Sequence, residues 1–302
     1  MQSPLRLNAY VLAADPTWLE YSVGAYYAVV NRIVVSYDRR FRGWTGSKIP
    51  VDECLARLRA IDVSRKMEFV SGDFSAAVAD PMENDTLQRN DALRRASQGA
   101  DWVLQLDTDE WIPNVRALLR VLHQFTESDC VGVEWPMRVL YRGMGGHKAL
   151  EVCSSEGGDH FEYIAPVIVR ANTPLVHSRR VEGTFVRPVV RGDRASLQIR
   201  RDPSPLEIRS ECLQPEEVIV HNSWARPPRL HQRKLASWSH SCTRIWWYYF
   251  TQWLPSRWRW SGMRNFHPFF GEVWPALRLA ELPFPVWDPV QPHGVPQIRS
   301  SI

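Results

Sequence analysis

Between residues 5 and 125 the apolar residues alternate four times between a strand-like run and helical spacing, and this limits the chain to very few architectures. Residues 5–14 (LRLNAYVLAA) are a run of strand length, followed by Leu19, Val23, Tyr26, Tyr27 and Val30 at spacings of three and four. Ile33-Val34-Val35 is a second short apolar strand, closed by Ser36-Tyr37-Asp38, and after a polar loop (39–49) Val51, Cys54, Leu55, Leu58 and Ile61 make a second helical face. Residues 67–70 (MEFV) predict a third strand, stopped by Ser71-Gly72-Asp73, and residues 85–98 a third helix, closed by Gly99. Residues 102–106 (WVLQL) are the fourth strand, and Pro113-Asn114 opens a fourth helix with Val115, Leu118, Leu119, Leu122 and Phe125 on one side. Such alternation predicts an α/β fold: a mostly parallel, twisted sheet flanked by helices on both faces. Ligands of such sheets gather at the carboxyl ends of the strands, and three of the four strands deliver an aspartate there: Asp38, Asp73 and Asp107.

Past residue 130 the rhythm changes. Residues 131–140 and 161–170 read as strands around a glycine-rich loop, 176–220 as a β-rich stretch, 229–250 as helical, and the proline-rich tail from about 283 as extended. With 44% hydrophobic and 23% charged residues in a chain of 302, the composition is that of a globular protein. A net charge of +4 is too small an excess to point to nucleic acid, so no nucleic-acid partner is expected. Five scattered cysteines without a CxxC pair argue for a reducing compartment rather than a disulfide framework. No run reaches the roughly 18 apolar residues of a membrane span, and Met1–Arg6 lacks a signal peptide's apolar core. The expected location is therefore cytoplasmic, including the inner face of the membrane.

Asp107-Thr108-Asp109 is the chemical centre of the sequence. A buried strand that ends in two carboxylates two residues apart, with Glu110 behind them, needs compensation, because uncompensated buried charge is costly. A divalent cation supplies it, and hard carboxylate oxygens suit Mg²⁺ or Mn²⁺.

Two stretches carry a resemblance. Gln88-Arg89-Asn90-Asp91-Ala92-Leu93, leading into Trp102-Val103-Leu104-Gln105-Leu106-Asp107-Thr108-Asp109-Glu110, resembles the helix and "LDxDE" strand of family 2 glycosyltransferases of the GT-A fold. His221-Asn222-Ser223-Trp224-Ala225-Arg226-Pro227-Pro228, with Lys234 following, resembles an "H-x-x-W-x-R-x-P … K" element of a bacterial subgroup of that family. The resemblance covers about residues 5–125 and 218–242. It implies a nucleotide-sugar donor, UDP-linked by weight of the family, and a glycan or lipid-linked acceptor, with bacterial surface glycan synthesis as the setting. Residues 1–130 would form the nucleotide-sugar-binding half, 131–240 the β-rich acceptor half, and 241–302 an aromatic-rich helical extension.

The resemblance also implies roles. Ala13, Ala14 and Asp15 would line the nucleotide pocket, Asp38 would bind base or ribose, and Asp73 would face the base. The family's usual acidic pair is here Tyr37-Asp38. Arg89 would lie by the diphosphate, Asp107 would touch ribose or a metal-bound water, and Asp109 would ligate the metal with His221 as third ligand. Lys234, with Arg226, would neutralise the departing diphosphate.

Inverting transfer needs a base on the acceptor side. Glu156-Gly157-Gly158-Asp159-His160 is a flexible acidic loop in the second half, and Asp159 is the expected base, with Glu156 and Glu162 as its competitors. Seven of the 14 tryptophans fall between Trp224 and Trp260, interleaved with Arg244, Arg257 and Arg259. They read as an acceptor platform, as a peripheral membrane patch or as a small aromatic core. Two other readings stay open. A haloacid-dehalogenase-type phosphatase also uses Asp-x-Asp, but wants it near the chain start with Thr or Val where Trp111 stands. A non-catalytic sugar- or nucleotide-binding protein on a degenerate transferase fold needs no complete metal set.

Overall fold

A computed structural model describes residues 5–75 and 77–287. The expected alternation appears as β1 (Leu7–Leu12), α1 (Leu19–Tyr27), β2 (Ile33–Asp38), α2 (Val51–Ile61), β3 (Met67–Gly72), α3 (Pro81–Ala96), β4 (Trp102–Leu104), β5 (Glu110–Trp111) and α4 (Val115–Gln124). There follow β6 (Gly132–Val133), β7 (Met137–Gly145), β8 (Lys148–Cys153), β9 (Ile168–Arg170), β10 (Leu175–His177), β11 (Arg180–Val181), β12 (Phe185–Val190), α5 (Leu197–Arg200), β13 (Glu207–Leu213) and β14 (Ile219–His221). The chain continues as α6 (Pro228–Ser237), α7 (Thr243–Tyr248), a π-helical turn (Tyr249–Trp253), α8 (Ser256–Arg259) and β15 (Ala276–Glu281).

Eight strands form one sheet in the order β13-β12-β6-β9-β4-β1-β2-β3. β9 runs antiparallel to both its neighbours and all the other pairs are parallel. Side chains of β1 are buried along its whole length, as a strand covered on both faces requires. Ala9 and Val11 face the cluster with Val23 of α1, Leu58 of α2 and Leu122 of α4. Tyr10 and Leu12 face the opposite cluster with Ala92, Leu93 and Ala96 of α3. Residues two apart thus share a face, as the pleat demands.

Helix boundaries follow their caps. Asn114 accepts from the backbone N–H of Arg116 at 3.1 Å, opening α4 where the sequence places it. α3 begins four residues before the expected start. Asp80 caps it through the Met82 N–H at 2.8 Å and Pro81 takes the first turn, a polar stretch on which no apolar periodicity can appear.

A second sheet, ordered β15-β8-β7-β14-β5, meets the first where the chain leaves β4. Residues 105–109 carry the backbone from one sheet to the other. Gln105 anchors the crossing from within: its side chain accepts from Tyr10 Oη at 2.7 Å and donates to the Pro166 carbonyl at 2.6 Å. Glu110, fully buried, receives two hydrogen bonds of 2.7 Å from Arg179, and β5 pairs antiparallel with β14 so that Glu110 lies opposite His221. Strand β15 is the edge of this second sheet, and the aromatic helices pack on it through Tyr141, Trp224, Trp253 and Trp274. The segment expected as an extension from residue 241 therefore completes a sheet begun before residue 153. Of residues 161–170, expected as one strand, only the end is regular. Before it Glu162 is bridged to Met137 by backbone hydrogen bonds of 2.8 and 2.9 Å. The proline-rich tail lies outside the described residues from 288 onward.

Burial opposes the charge on Arg179, and the carboxylate of Glu110 overcomes it and raises its pKa. Glu110→Ala should therefore cost about 3–5 kcal/mol in urea unfolding, the range for orphaning one member of a buried pair, whereas Glu110→Leu with Arg179→Met should recover most of it. A loss below about 1 kcal/mol in the single variant would show that the pair does not hold the crossing.

Candidate active site

The crossing between the sheets opens into a cavity of about 720 Å³. Its walls bring together Ala13, Ala14 and Asp15 after β1, Asp38 after β2, Arg89 on α3, Asp107–Asp109 after β4, His221 after β14, and Arg226 and Lys234 on either side of the α6 start. Residues separated by over 200 positions meet here because the β5–β14 ladder sets His221 beside the aspartates. The backbone N–H of Asn222 donates to the Asp109 carbonyl at 2.8 Å.

Asp109 is almost fully buried, and two cations converge on its Oδ2: Arg226 Nη2 and Lys234 Nζ, each at 2.7 Å. Burial pushes its pKa up, but Lys234, then Arg226, outweigh this and hold it well below the ordinary carboxylate range. Arg226 also donates through Nε and Nη2 to Asp15 at 3.0 and 2.7 Å, and through Nη1 to the Asn222 carbonyl at 2.7 Å. One buried guanidinium thus fastens the loop after β1 to the loop after β14. Asp107, whose side chain is 30% exposed, accepts from Arg89 Nη2 at 3.0 and 3.2 Å. Its pKa is also lowered, with Arg89 and Arg179 overcoming burial.

Several polar atoms at or behind the cavity wall have no partner among the described residues: Arg89 Nη1 and His221 Nδ1 on lining residues, and both side-chain polar atoms of Asn222, which is buried behind the lining. Buried polar groups left unpaired cost roughly 1–3 kcal/mol each, so such a cluster marks a place where a ligand or water completes the structure. The lining cations (Arg42, Arg89, Arg179, Arg180, Arg201, Arg226, Arg233, Lys234) outnumber the lining acids (Asp15, Asp38, Asp85, Asp107, Asp109, Glu162) by two.

The donor types suit a hard divalent ion. Asp107 and Asp109 are held ionised, and burial drives the His221 pKa down to about 4, leaving a neutral imidazole whose Nε2 is 3.8 Å from Asp109 Oδ2. Among the described residues, however, no three His, Cys, Asp or Glu side chains are gathered into a ligand cage. The remaining positions of an ion there would belong to water and ligand oxygens, the usual case for Mg²⁺.

Two expected residues have other surroundings. Asp73 is absent from the cavity lining and forms an exposed ion pair with Arg39 at 3.1 Å. Asp159 is likewise absent; it is 47% exposed and bound to Arg278 at 2.7 Å. Asp38 reaches the cavity, but its oxygens accept backbone N–H groups of Arg40 at 2.9 Å and of Phe74 and Ser75 at 2.8 Å. It ties two strand-end loops together, which leaves little capacity for a ribose.

Glu162 stands where the acceptor-side acid was expected. It lines the cavity, is 7% exposed, and accepts a hydrogen bond from the indole N–H of Trp274; burial raises its pKa to about 7. Around it the wall turns aromatic, with Trp238, Phe269, Phe270 and Trp274. On the opposite wall the 39–49 loop supplies Trp44, whose Nε1 donates to Gln88 at 2.7 Å. That loop rests on α6, where Thr45 donates to the Ala236 carbonyl at 2.7 Å. A Cβ at Gly43 would sit 2.8 Å from Ser237 Cβ, so only glycine lets the two approach.

No family model matches the chain, and no curated protein matches it. Solved structures similar in part include the following two. One is a 4-diphosphocytidyl-2C-methyl-D-erythritol synthase from Anaerococcus prevotii, at 10% identity over 55% of this chain and 70% of that one, with a TM-score of 0.31. The other is a mannose-1-phosphate geranyltransferase from Thermus thermophilus, at 12% identity over 56% of this chain and 51% of that one, with a TM-score of 0.26. Likenesses this distant assign no activity, which rests on the residues themselves.

Proposed function

We propose that the chain is a glycosyltransferase that moves a sugar, with inversion, from a nucleoside diphosphate donor to an acceptor hydroxyl. The observation that carries this reading is the delivery of Asp107 and Asp109 from the end of β4 into a cavity where three buried cations, Arg89, Arg226 and Lys234, converge on them. A departing diphosphate needs such cations, since they stabilise charge that develops as the sugar–phosphate bond breaks. Lys234 serves as a point charge and Arg89, with an unpaired Nη1, as a fork. A UDP-sugar is the donor class that the resemblance to family 2 glycosyltransferases favours. Mn²⁺ or Mg²⁺ beside the Asp107-Thr108-Asp109 turn, with water and donor oxygens completing its shell, would add Lewis-acid assistance to the leaving group.

Glu162 fits the base better than Asp159. A base must reach the acceptor hydroxyl and hold a proton near the working pH. Glu162 lines the cavity with a pKa of about 7, while Asp159 lies outside the lining and answers to Arg278. An acceptor sugar ring placed against Trp238, Phe269 and Phe270 would stack its apolar face on them beside that carboxylate. Both glycan and lipid-linked acceptors satisfy this arrangement.

Thermal-shift measurements with UDP, GDP, dTDP and CMP, each with and without Mn²⁺, test the donor assignment. A nucleoside diphosphate at 100 times its dissociation constant adds about 2.7 kcal/mol. At least one diphosphate should raise the melting temperature, more so with Mn²⁺; no shift with any of them would sink the reading.

Transfer assays test the base. Glu162→Gln should lower the rate by roughly 10² or more, the scale of general-base catalysis, while Asp159→Asn stays near native. Because the base works deprotonated and its pKa is about 7, the native rate should climb as pH rises through 7, and Glu162→Gln should lose that limb. The reverse pattern between the two variants would return the role to Asp159.

A further inference from the structure

We propose that the helical rod Thr243–Arg259 is a docking surface for an anionic lipid bilayer. The inference stands apart from the transfer chemistry, because it rests on a surface outside the nucleotide cavity.

α7, the π-helical turn and α8 form one rod, since Leu254 and Pro255 between them keep right-handed helical dihedrals. Ile245, Tyr248, Tyr249, Trp253 and Ser256 point inward and are buried. Trp247, Phe250 and Trp258 point outward and are 64%, 57% and 78% exposed. They are three and eight residues apart, near one turn and two turns of a rod widened by the π turn, so they share a side. Apart from an edge-on contact of Phe250 with Tyr249 at 5.0 Å, most of their surface faces outward, and three on one crest exceed the scattered exposure of an ordinary surface.

Charge identifies the partner. From residue 243 to residue 271 the chain has four arginines, Arg244, Arg257, Arg259 and Arg264, and no Asp or Glu. Arg257 and Arg259 flank Trp258, are exposed, and their side chains form no hydrogen bond or ion pair among the described residues. Beside the crest, Thr251, Gln252, Arg259 and Arg264 line a cavity of about 300 Å³, polar enough to seat a phosphate headgroup. Indole rings seated at the headgroup level with arginines reaching the phosphates are the pattern of a helix lying in the interface of anionic lipid. An acidic protein partner would also engage rings and arginines, and the flotation experiment below separates it from lipid. The rod also starts at the cavity: Arg244 lies 5.8 Å over the ring of Phe269, which lines the cavity's aromatic wall.

Flotation of the full chain with vesicles tests the proposal. Phosphatidylglycerol–phosphatidylcholine vesicles should carry the protein up the gradient, phosphatidylcholine alone should carry far less, and added salt should release it. Trp247→Ser/Phe250→Ser/Trp258→Ser should weaken binding roughly tenfold or more by removing interfacial apolar area. Arg257→Gln/Arg259→Gln should weaken it by roughly 30-fold, since each cation near an anionic surface accounts for about a fivefold gain. Arg116→Gln/Arg191→Gln, of equal charge change elsewhere, should bind as the native chain does. All these side chains are exposed, so far-UV circular dichroism should be unchanged. Equal binding to neutral and anionic vesicles, or unaltered binding by the ring-less variant, would overturn the proposal. So would a dimer that the ring-less variant alone abolishes, combined with no flotation of the native chain.

Discussion

The site depends on the passage of one strand end between two sheets. β4 belongs to the eight-stranded sheet and β5 to the five-stranded one, with only Gln105–Asp109 between them. A backbone that changes sheets has to satisfy its polar groups without a continuous ladder. Here Gln105, buried among Tyr10, Pro166 and Arg179, and Glu110, clamped by the Arg179 guanidinium, do that work. With the crossing fixed from below by these side chains, Asp107 and Asp109 are left facing the cavity.

What then holds the aspartates is a set of opposed buried charges. Four groups, Asp15, Asp109, Arg226 and Lys234, satisfy one another at 2.7–3.0 Å, while Arg89 is shared between Asp85 at 2.6 Å and Asp107. In a low-dielectric site each of these charges is tolerable only while paired, so losing one partner exposes the cost of the other. An incoming diphosphate would offer Lys234 and Arg226 a second anion and so compete with Asp109 for them. That competition lets the same cations serve the empty site and the loaded one. In the proposed reaction these cations would stand where leaving-group charge develops, already oriented before the donor arrives.

The parallel half of the fold is legible in the sequence because a strand buried on both faces and a one-sided helix leave different periods. β1, β2 and β4 follow from them, and Pro113-Asn114 marks the start of α4. The acids and cations that meet in the cavity were legible through adjacency, since Asp107-Thr108-Asp109 and His221 through Lys234 are short motifs. Residues whose place depends on distant partners were not. Asp73 and Asp38 look alike as acids ending strands, yet backbone N–H groups 36 and 37 residues away take up Asp38 while Asp73 stays outside with Arg39. Asp159 and Glu162 are three residues apart. Trp274, 112 positions later, is the partner beside which Glu162 lines the cavity, and Arg278 draws Asp159 elsewhere. Arg179, the clamp of the crossing, lies in a stretch with no readable period, and its only local signal is a loop arginine preceding a short strand.

The claim that Lys234 and Arg226 await a diphosphate, rather than merely neutralising Asp109, is the one on which the functional account turns. Calorimetry with a nucleoside diphosphate and with its parent nucleoside, on the native chain and on Lys234→Met, separates these possibilities directly. If the cation meets phosphate, the substitution weakens the diphosphate by about tenfold or more, the scale of a charge-assisted hydrogen bond of 1.5–3 kcal/mol, and leaves the nucleoside unchanged. Equal losses for both ligands, or none for either, would contradict the account and leave Lys234 as a counter-ion of Asp109 alone.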